Sequence, residues 1–335
     1  MKKVVLDVFT GDNPEQLIKG ATEAVKKYDN LKIIMPGDKD FLTSQLAQYE
    51  YDTDRIEVVH ASQIISNNES PTMAIKQKKD STIVVGMNIL NSDPDVIGLI
   101  SAGSTGAILC GGIFITGRLS GVDRPALAAV LPTEDGNNVC LMDCGANSDC
   151  LPEYLAQFAL LGSALMKSAY GVENPRTALV CVGTEDHKGS KLTHAAFDLI
   201  KDLPVNFLGN MESRDVLSGK YDVLVCDGFT GNVLLKSIEG TATLVIRKMV
   251  GALKNNLPEG TDGSFIKKSV GQVMVDLDYN SNGGAILLGC KKPIAKIHGS
   301  ANANTISAVI GQMIKMYETE MISKVSAALE QLKKD

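Results

Sequence analysis

The sequence predicts an α/β fold with a mostly parallel sheet covered by helices on both faces. Apolar runs of strand length alternate with segments of helical periodicity through most of the chain. The runs are hydrophobic almost without interruption, which is typical of strands buried on both faces. These runs span residues 4–8, 31–35, 56–59, 96–100, 127–131, 139–142, 178–182, 205–208 and 223–226.

Two helix starts carry local signals. Asn13-Pro14-Glu15 and Ser70-Pro71 each place a capping residue directly before proline at the first helical position. The chain contains no low-complexity linker and no repeat of fixed period. We therefore expect residues 1–335 to form one domain with two lobes.

The composition excludes several classes of protein. The chain has 335 residues, 44% of them hydrophobic, and a formal net charge of −6, which argues against a nucleic-acid-binding protein. It has no apolar run of the roughly 20 residues that a membrane-spanning helix needs, and its first residues do not resemble a signal peptide. Any membrane contact is therefore expected to be peripheral.

The seven cysteines lie mostly inside apolar runs and are expected to be small buried hydrophobic residues in a reducing, cytoplasmic compartment. Cys140, Cys144 and Cys150 lack a CxxC spacing and a nearby histidine, so no metal site is expected.

Residues 240–277 are predicted to form a protruding helical hairpin, interrupted near Pro258. Its apolar residues are interleaved with basic ones such as Arg247, Lys248 and Lys268. Basic charges beside an apolar stripe suit a membrane surface. A dimer interface or an ordinary core stripe with a solvated basic face explains the same pattern.

The segment SAGSTGA, from Ser101 to Ala107, joins a buried strand to an apolar helical run. Amide groups at such a helix start, together with the helix dipole, favour a bound anion such as phosphate. The alternative is a loop whose small residues serve packing.

Four further polar segments follow predicted strands: 7–13, 142–149, 183–189 and 226–232. We expect all of them to gather with SAGSTGA at one carboxyl edge of the sheet, where ligands bind in open α/β folds. Lys188, beside Gly189, is the strongest candidate for a cation that contacts the anion, and His187 and His298 are loop histidines that suit a site. Helix capping and turn formation are the alternative roles for the Asp and Asn residues.

Other familiar catalytic motifs are missing from the sequence. It has no GxSxG, HExxH or GxxxxGK[ST] motif, and no GxGxxG after the first strand. Serine hydrolase, zinc protease, P-loop NTPase and standard Rossmann interpretations therefore lose their usual support.

At these loops the chain resembles the phosphate acyltransferase family of bacterial phospholipid synthesis, nearly end to end. The matching stretches are SAGSTGA, GRLSGVDRPALAAVLPT, LMDCGANSDC, NPR, GTEDHKGS, GNMESRD and VCDGFTGNVLLKSIEG. The first loop departs from the family, because Asp7 to Asp12 lack the usual glycine pair and methionine. Ser104 replaces a usual Asn, and 67–71 alters an acidic stretch. A relative that makes short acyl phosphates, such as the acetyl-phosphate-forming subunit of glycine reductase, is the alternative.

The resemblance implies an enzyme that transfers a fatty acyl group from acyl carrier protein to inorganic phosphate, without a cofactor. It also implies a homodimer with a fold like that of isocitrate and isopropylmalate dehydrogenases. Such an enzyme lies at the inner face of the cell membrane and supplies a membrane glycerol-3-phosphate acyltransferase.

On this interpretation, the amides of Ser104, Thr105 and Gly106 hold phosphate, and Lys188 orients it toward the thioester carbonyl. Asn232, with an amide near Gly231, stabilises the oxyanion, and Asp227 orients Lys188 or Asn232 or caps the following helix. The predicted catalytic residues are Lys188, Asn232 and Asp227. The predicted substrate-binding residues are Ser101, Gly103, Ser104, Thr105, Gly106, Asp143, Asn147, His187 and Gly231.

Two other classes of function compete with this one. An oxidoreductase could use the related dehydrogenase fold, although no carboxylate cluster accompanies a dinucleotide loop. A non-catalytic scaffold could dock acyl carrier protein on a basic patch.

Overall fold

The computed structural model describes residues 1–256, 264, 268, 270–271 and 284–332. The nine predicted strands are all present, with ends shifted by a few residues. Two short strands, β10 and β11, were not predicted. The strands are β1 (Lys2–Asp7), β2 (Leu31–Gly37), β3 (Ile56–His60), β4 (Val96–Ser101), β5 (Ala126–Pro132), β6 (Asn138–Met142), β7 (Arg176–Cys181), β8 (Asn206–Glu212), β9 (Val223–Val225), β10 (Ala285–Leu288) and β11 (Ile294–Lys296).

The described ranges contain ten α-helices, of which the last two follow β11. The predicted starts at Pro14 and Pro71 are confirmed, although neither Asn13 nor Ser70 caps its helix through the side chain. The helices are α1 (Pro14–Lys27), α2 (Lys39–Leu46), α3 (Pro71–Gln77), α4 (Thr82–Ser92), α5 (Thr105–Gly111), α6 (Pro152–Tyr170), α7 (Lys191–Lys201), α8 (Gly228–Asn255), α9 (Ala303–Glu318) and α10 (Met321–Leu332).

All eleven described strands form one sheet, in the order β3-β2-β1-β4-β11-β10-β5-β6-β9-β7-β8. Most neighbours are parallel, which confirms the predicted fold class, but β10 is antiparallel to both β11 and β5, and β5 is antiparallel to β6. Three successive reversals mean that the half β6-β9-β7-β8 runs opposite to the half β3-β2-β1-β4.

This reversal corrects the expectation of a single carboxyl edge. The loop after β1 and the SAGSTGA turn after β4 lie at one end of the strands. The segments after β6, β7 and β9 follow strands that point the opposite way. The register nevertheless brings the two groups level: Ser101 at the end of β4 pairs with Lys296, Lys296 with Ala285, Ala285 with Ala129, and Ala129 with Leu141 near the end of β6. The two groups therefore meet from opposite strand directions, and a site that joins them lies between the ends of β4 and β6.

Helices cover both faces, as the continuous apolar strands predict. Along β6, Val139 and Leu141 pack in one core cluster while Cys140 and Met142 pack in another. The first cluster also contains Ala107 of α5 and buried residues of α4 and α8. The starts of α5 and α8 thus approach each other over the same face.

The cysteines follow the prediction in part. Cys140, Cys144, Cys226 and Cys290 are buried and the other three are half-buried, all as free thiols. Burial raises the pKa of Cys140 and of Cys290 to about 12, so both stay protonated near neutral pH.

Helix α8 is longer than expected, because it begins at Gly228 and continues without a break to Asn255. Beyond Leu235 it has no fully buried residue, and Leu244, Val245 and Met249 are each about half exposed. The second arm of the predicted hairpin at 240–277 lies mostly outside the described residues. Among the described helices, none combines the length and apolar content that crossing a membrane requires.

Candidate active site

A buried carboxylate, that of Asp7, anchors the SAGSTGA turn. Ser101 Oγ donates to Asp7 Oδ2 at 2.8 Å and accepts from the Gly103 amide at 3.0 Å. Thr10 Oγ1 also donates to Asp7 Oδ2, at 3.0 Å. Burial raises the pKa of Asp7, and the hydroxyl donors, Ser101 first, oppose that rise. Ser101 and Gly103 therefore shape the turn from the buried side.

The next three residues of the turn are partly accessible. Ser104 precedes the first residue of α5, Thr105, and all of Ser104, Thr105 and Gly106 are half-buried. As at any helix start, the first amides of α5 have no carbonyl partner within their own helix. A Cβ on Gly106 would lie 2.5 Å from Pro71 Cγ, so glycine lets α3 approach closely.

A second turn is organised around Asp143, which is fully buried after β6. Its Oδ1 accepts from the amides of Leu127, Gly145 and Ala146 at 2.9 to 3.1 Å. Its Oδ2 accepts from the amide and the Nδ2 of Asn147 at 2.8 and 2.9 Å. Burial raises the pKa of Asp143 and these donors oppose the rise. With its polar groups engaged inside the protein, Asp143 positions this turn.

Asn147 serves the same turn. Its Nδ2 also donates to the Pro125 carbonyl at 2.8 Å, and its own carbonyl accepts from the Gly228 amide at 2.7 Å. Asn147 thus ties the turn after β6 to the first residue of α8.

The start of α8 is capped and closely packed. Asp227 accepts from the amide and the hydroxyl of Thr230, both at 2.8 Å, so its carboxylate caps the helix. A Cβ on Gly231 would lie 1.9 Å from the Asp143 carbonyl oxygen, so glycine is required for this approach. The Gly231 amide donates to the Asp227 carbonyl at 3.0 Å. The expectation of a free amide near Gly231 for the oxyanion is therefore wrong at this residue.

A cavity of about 390 Å³ lies between the two helix starts. Thr105 contributes from α5, Asn232 and Lys236 contribute from one face of α8, and Lys296 contributes from the end of β11. The lining is completed by His298 and by Leu127, Cys144, Gly145, Leu235, Gly284, Ala285 and Ile297. The cavity thus joins residues from both halves of the sheet.

Two cations give this cavity a positive character. Lys296 is half-buried, and burial together with the charge of Lys236 lowers its pKa to about 8. Lys236 is more exposed and forms an ion pair with Glu239 at 2.7 Å. Asn232 lies beside Gly145, whose φ of +129° is a backbone conformation that favours glycine. The cavity therefore combines amide, hydroxyl and ammonium donors, which suits an anionic, oxygen-rich ligand.

Lys188 and His187 occupy a different region. Both are exposed in the loop that follows β7, where the Lys188 amide donates to the Glu185 carbonyl at 3.0 Å. Neither contributes to the lining of the cavity. Their roles in substrate binding and catalysis stay predictions.

Lys236, Lys296 and Gly145 were not among the predicted site residues. The signal for Lys296 is a lysine between Ile294-Ala295 and Ile297, because a charged residue inside an apolar run needs a partner. Lys236 could have been found by its position four residues after Asn232 on one helix. No cluster of three or more His, Cys, Asp or Glu side chains that could hold a metal occurs within the described ranges.

The comparisons with known proteins agree with this architecture. The model of the family described as Fatty acid synthesis protein matches residues 2–324. A phosphate acyltransferase from Clostridioides difficile (strain 630) is 38% identical over 325 residues, covering 97% of this chain and 95% of that protein. The chain belongs to this family. It is an enzyme of the acyltransferase class, which confirms the resemblance carried by the motifs.

Solved structures share the fold at low sequence identity. A phosphotransacetylase from Streptococcus pyogenes aligns with a TM-score of 0.62 and 14% identity, covering 98% of this chain and 94% of that one. A EutD phosphotransacetylase from Staphylococcus aureus aligns with a TM-score of 0.60 and 17% identity, covering 94% of this chain and 94% of that one.

Proposed function

We propose that this enzyme transfers a fatty acyl group from acyl carrier protein to inorganic phosphate. The product is an acyl phosphate that serves phospholipid synthesis. Two findings support the proposal: the description of the family and the phosphate acyltransferases among the relatives. The observation that carries it is the cavity between α5 and α8, where Lys236, Lys296 and Thr105 offer donors to a phosphate group.

The reaction needs positioning more than a strong base. Inorganic phosphate is already partly dianionic at neutral pH, so the dianion is available as a nucleophile. A phosphate oxygen attacks the thioester carbonyl, the C–S bond breaks, and the proton of phosphate ends on the released thiol. No covalent bond to the enzyme forms, so catalysis rests on orientation and on stabilisation of the oxyanion.

Asn232 is the group we assign to the oxyanion. Its side chain lines the cavity beside Gly145, on the first turn of a helix that Asp227 caps. A fixed amide donor in such a position contributes about 3 kcal/mol to transition-state stabilisation. Lys188 is proposed to reach the phosphate from the neighbouring loop and compensate its charge.

The exposed face of α8 is proposed to be covered in the assembled protein. We infer a homodimer in which α8 supplies contacts, with its outer turns at the membrane surface, near a membrane glycerol-3-phosphate acyltransferase that takes the product. The support is the row of exposed Leu244, Val245 and Met249 beside Arg247 and Lys248. Light scattering of the purified protein and sedimentation with anionic vesicles test the two parts separately.

The decisive experiment mixes the purified protein, a long-chain acyl carrier protein and phosphate. Acyl phosphate is trapped with hydroxylamine, and mixtures without phosphate or without protein serve as controls. We expect phosphate-dependent loss of the acyl group from the carrier. Activity with acetyl donors alone would favour the glycine reductase relative, and binding of the carrier without turnover would favour a scaffold.

A further inference from the structure

Lys296 is held by the backbone and has donor capacity left. It ends β11 and pairs in register with Ser101, the first residue of the SAGSTGA turn. Its Nζ donates to the Ala102 carbonyl at 3.0 Å and to the Ile297 carbonyl at 2.5 Å. An ammonium group has three N–H donors, and these two carbonyls are its hydrogen-bond acceptors among the described residues. The third N–H is available to a ligand in the cavity that Lys296 lines.

The surroundings of Lys296 lower its pKa and so disfavour the ammonium form when no anion is bound. Burial and the charge of Lys236 on α8 lower the pKa of Lys296 to about 8, and Asp12 in the loop after β1 opposes this. His298, two residues further along, also lines the cavity, and α5 contributes the uncharged Thr105. A dianion beside Nζ would reverse the balance, because an opposite charge within about 4 to 6 Å favours the ammonium form.

We propose that Lys296 is the residue that holds the phosphate group in this cavity, as an ammonium group that donates its third N–H to a phosphate oxygen. The inference rests on the proposed function for the identity of the ligand. It assigns phosphate binding to a cation whose position the sheet fixes, unlike the exposed Lys188.

The pH dependence follows from the sign of the linkage. Above pH 8 the free site loses the proton that the bound site retains, so phosphate affinity falls as the pH rises. With half of Lys296 protonated at pH 8 and about 3% at pH 9.5, the affinity falls roughly 15-fold between these values. Phosphate itself stays dianionic across this range.

The test is calorimetric titration of the full chain with inorganic phosphate. At pH 8 the measurement is repeated in buffers of different ionisation enthalpy, which reports proton uptake by the wild type without any substitution. Lys296→Met is expected to lower phosphate affinity at least about tenfold. Lys296→Arg is expected to bind phosphate with no change between pH 8 and 9.5, because guanidinium stays charged.

Lys292→Met is the matched control. Lys292 is also half-buried and also donates to two carbonyls, those of Asp93 and Val96, but it does not line this cavity. It should bind phosphate as the wild type does. Wild-type affinity in Lys296→Met, or binding without proton uptake near pH 8, would overturn the proposal.

The outcomes separate this inference from the proposed function. Phosphate binding that depends on Lys296, without formation of acyl phosphate, would retain the inference and remove the acyl transfer. Formation of acyl phosphate by Lys296→Met at the wild-type KM for phosphate would retain the acyl transfer and remove the inference about Lys296.

Discussion

The turn at 143–147 and the loop at 183–189 follow strands of the same half of the sheet, yet they differ in burial and in their position relative to the cavity. In the first, the Asp143 carboxylate is fully buried and accepts five hydrogen bonds from neighbouring groups. In the second, His187 and Lys188 are exposed. The first borders the cavity and the second contributes nothing to its lining. A polar loop after a strand thus becomes part of this cavity only where a helix start packs against it.

The largest effect is expected at the contact between the first turn and α8. Gly231→Ala places a Cβ 1.9 Å from the Asp143 carbonyl, so the helix start must shift, and we expect a loss of about 3 kcal/mol in the free energy of unfolding. Urea denaturation measures it. Gly240→Ala on the same helix meets nothing within 4 Å and should stabilise the protein by about 1 kcal/mol. Equal stabilities of the two variants would contradict the close packing.

Asn232→Ala tests whether the cavity beside the ordered turn performs the chemistry. Loss of an oxyanion donor should lower kcat by about 100-fold, with kcat/KM falling equally, because the interaction forms in the transition state. Steady-state kinetics with acyl carrier protein measures this. Ser237→Ala, on an exposed position of α8, is the control. A rise in KM at constant kcat would instead assign Asn232 to substrate binding.

Lys188→Ala tests the exposed loop. We expect kcat/KM for phosphate to fall about tenfold, roughly 1.4 kcal/mol, from loss of a charge-assisted contact. The melting temperature should not change, because the side chain is exposed. Lys191→Ala, also exposed nearby, is the control for a general loss of positive charge. An unchanged kcat/KM for phosphate would remove the predicted role.

The smallest effect is expected from Asp227→Ala. Loss of a helix cap costs about 1 kcal/mol of stability, and Asp227→Asn should restore most of it, because an amide oxygen can accept from Thr230 as well. Thermal unfolding of both variants measures this. If Asp227 also orients Asn232 or Lys188, Asp227→Asn would keep the stability and lose turnover.

Much of the fold could be predicted from local pattern. The nine predicted strands are apolar runs that need no partner information, and Pro14 and Pro71 mark helix starts by chemistry alone. Strands β10 and β11 were not predicted, and they carry antiparallel pairings that reverse half of the sheet. The prediction of one shared edge therefore failed where non-local pairing decides direction.

Local sequence patterns predicted part of the candidate site. The rest depends on strand pairing between distant parts of the chain and was not predicted. Thr105, Asn232 and Gly145 lie in polar segments next to strands, and the first two of these were predicted. Four more of the predicted residues in these turns, Ser101, Asp143, Asn147 and Asp227, make hydrogen bonds within the protein as capping and turn residues. Lys296 becomes part of the cavity through the pairing of β11 with β4, which no short window of sequence contains.

Helix α8 connects the cavity with its own exposed outer turns. Asn232 and Lys236 lie on its first turns, whereas Leu253 lies about 30 Å further along an unbroken helix without proline. Because the helix is unbroken, we expect a displacement of its outer turns to move the turns that carry Asn232 and Lys236 as well. The position of the cavity wall would then depend on what the outer turns contact.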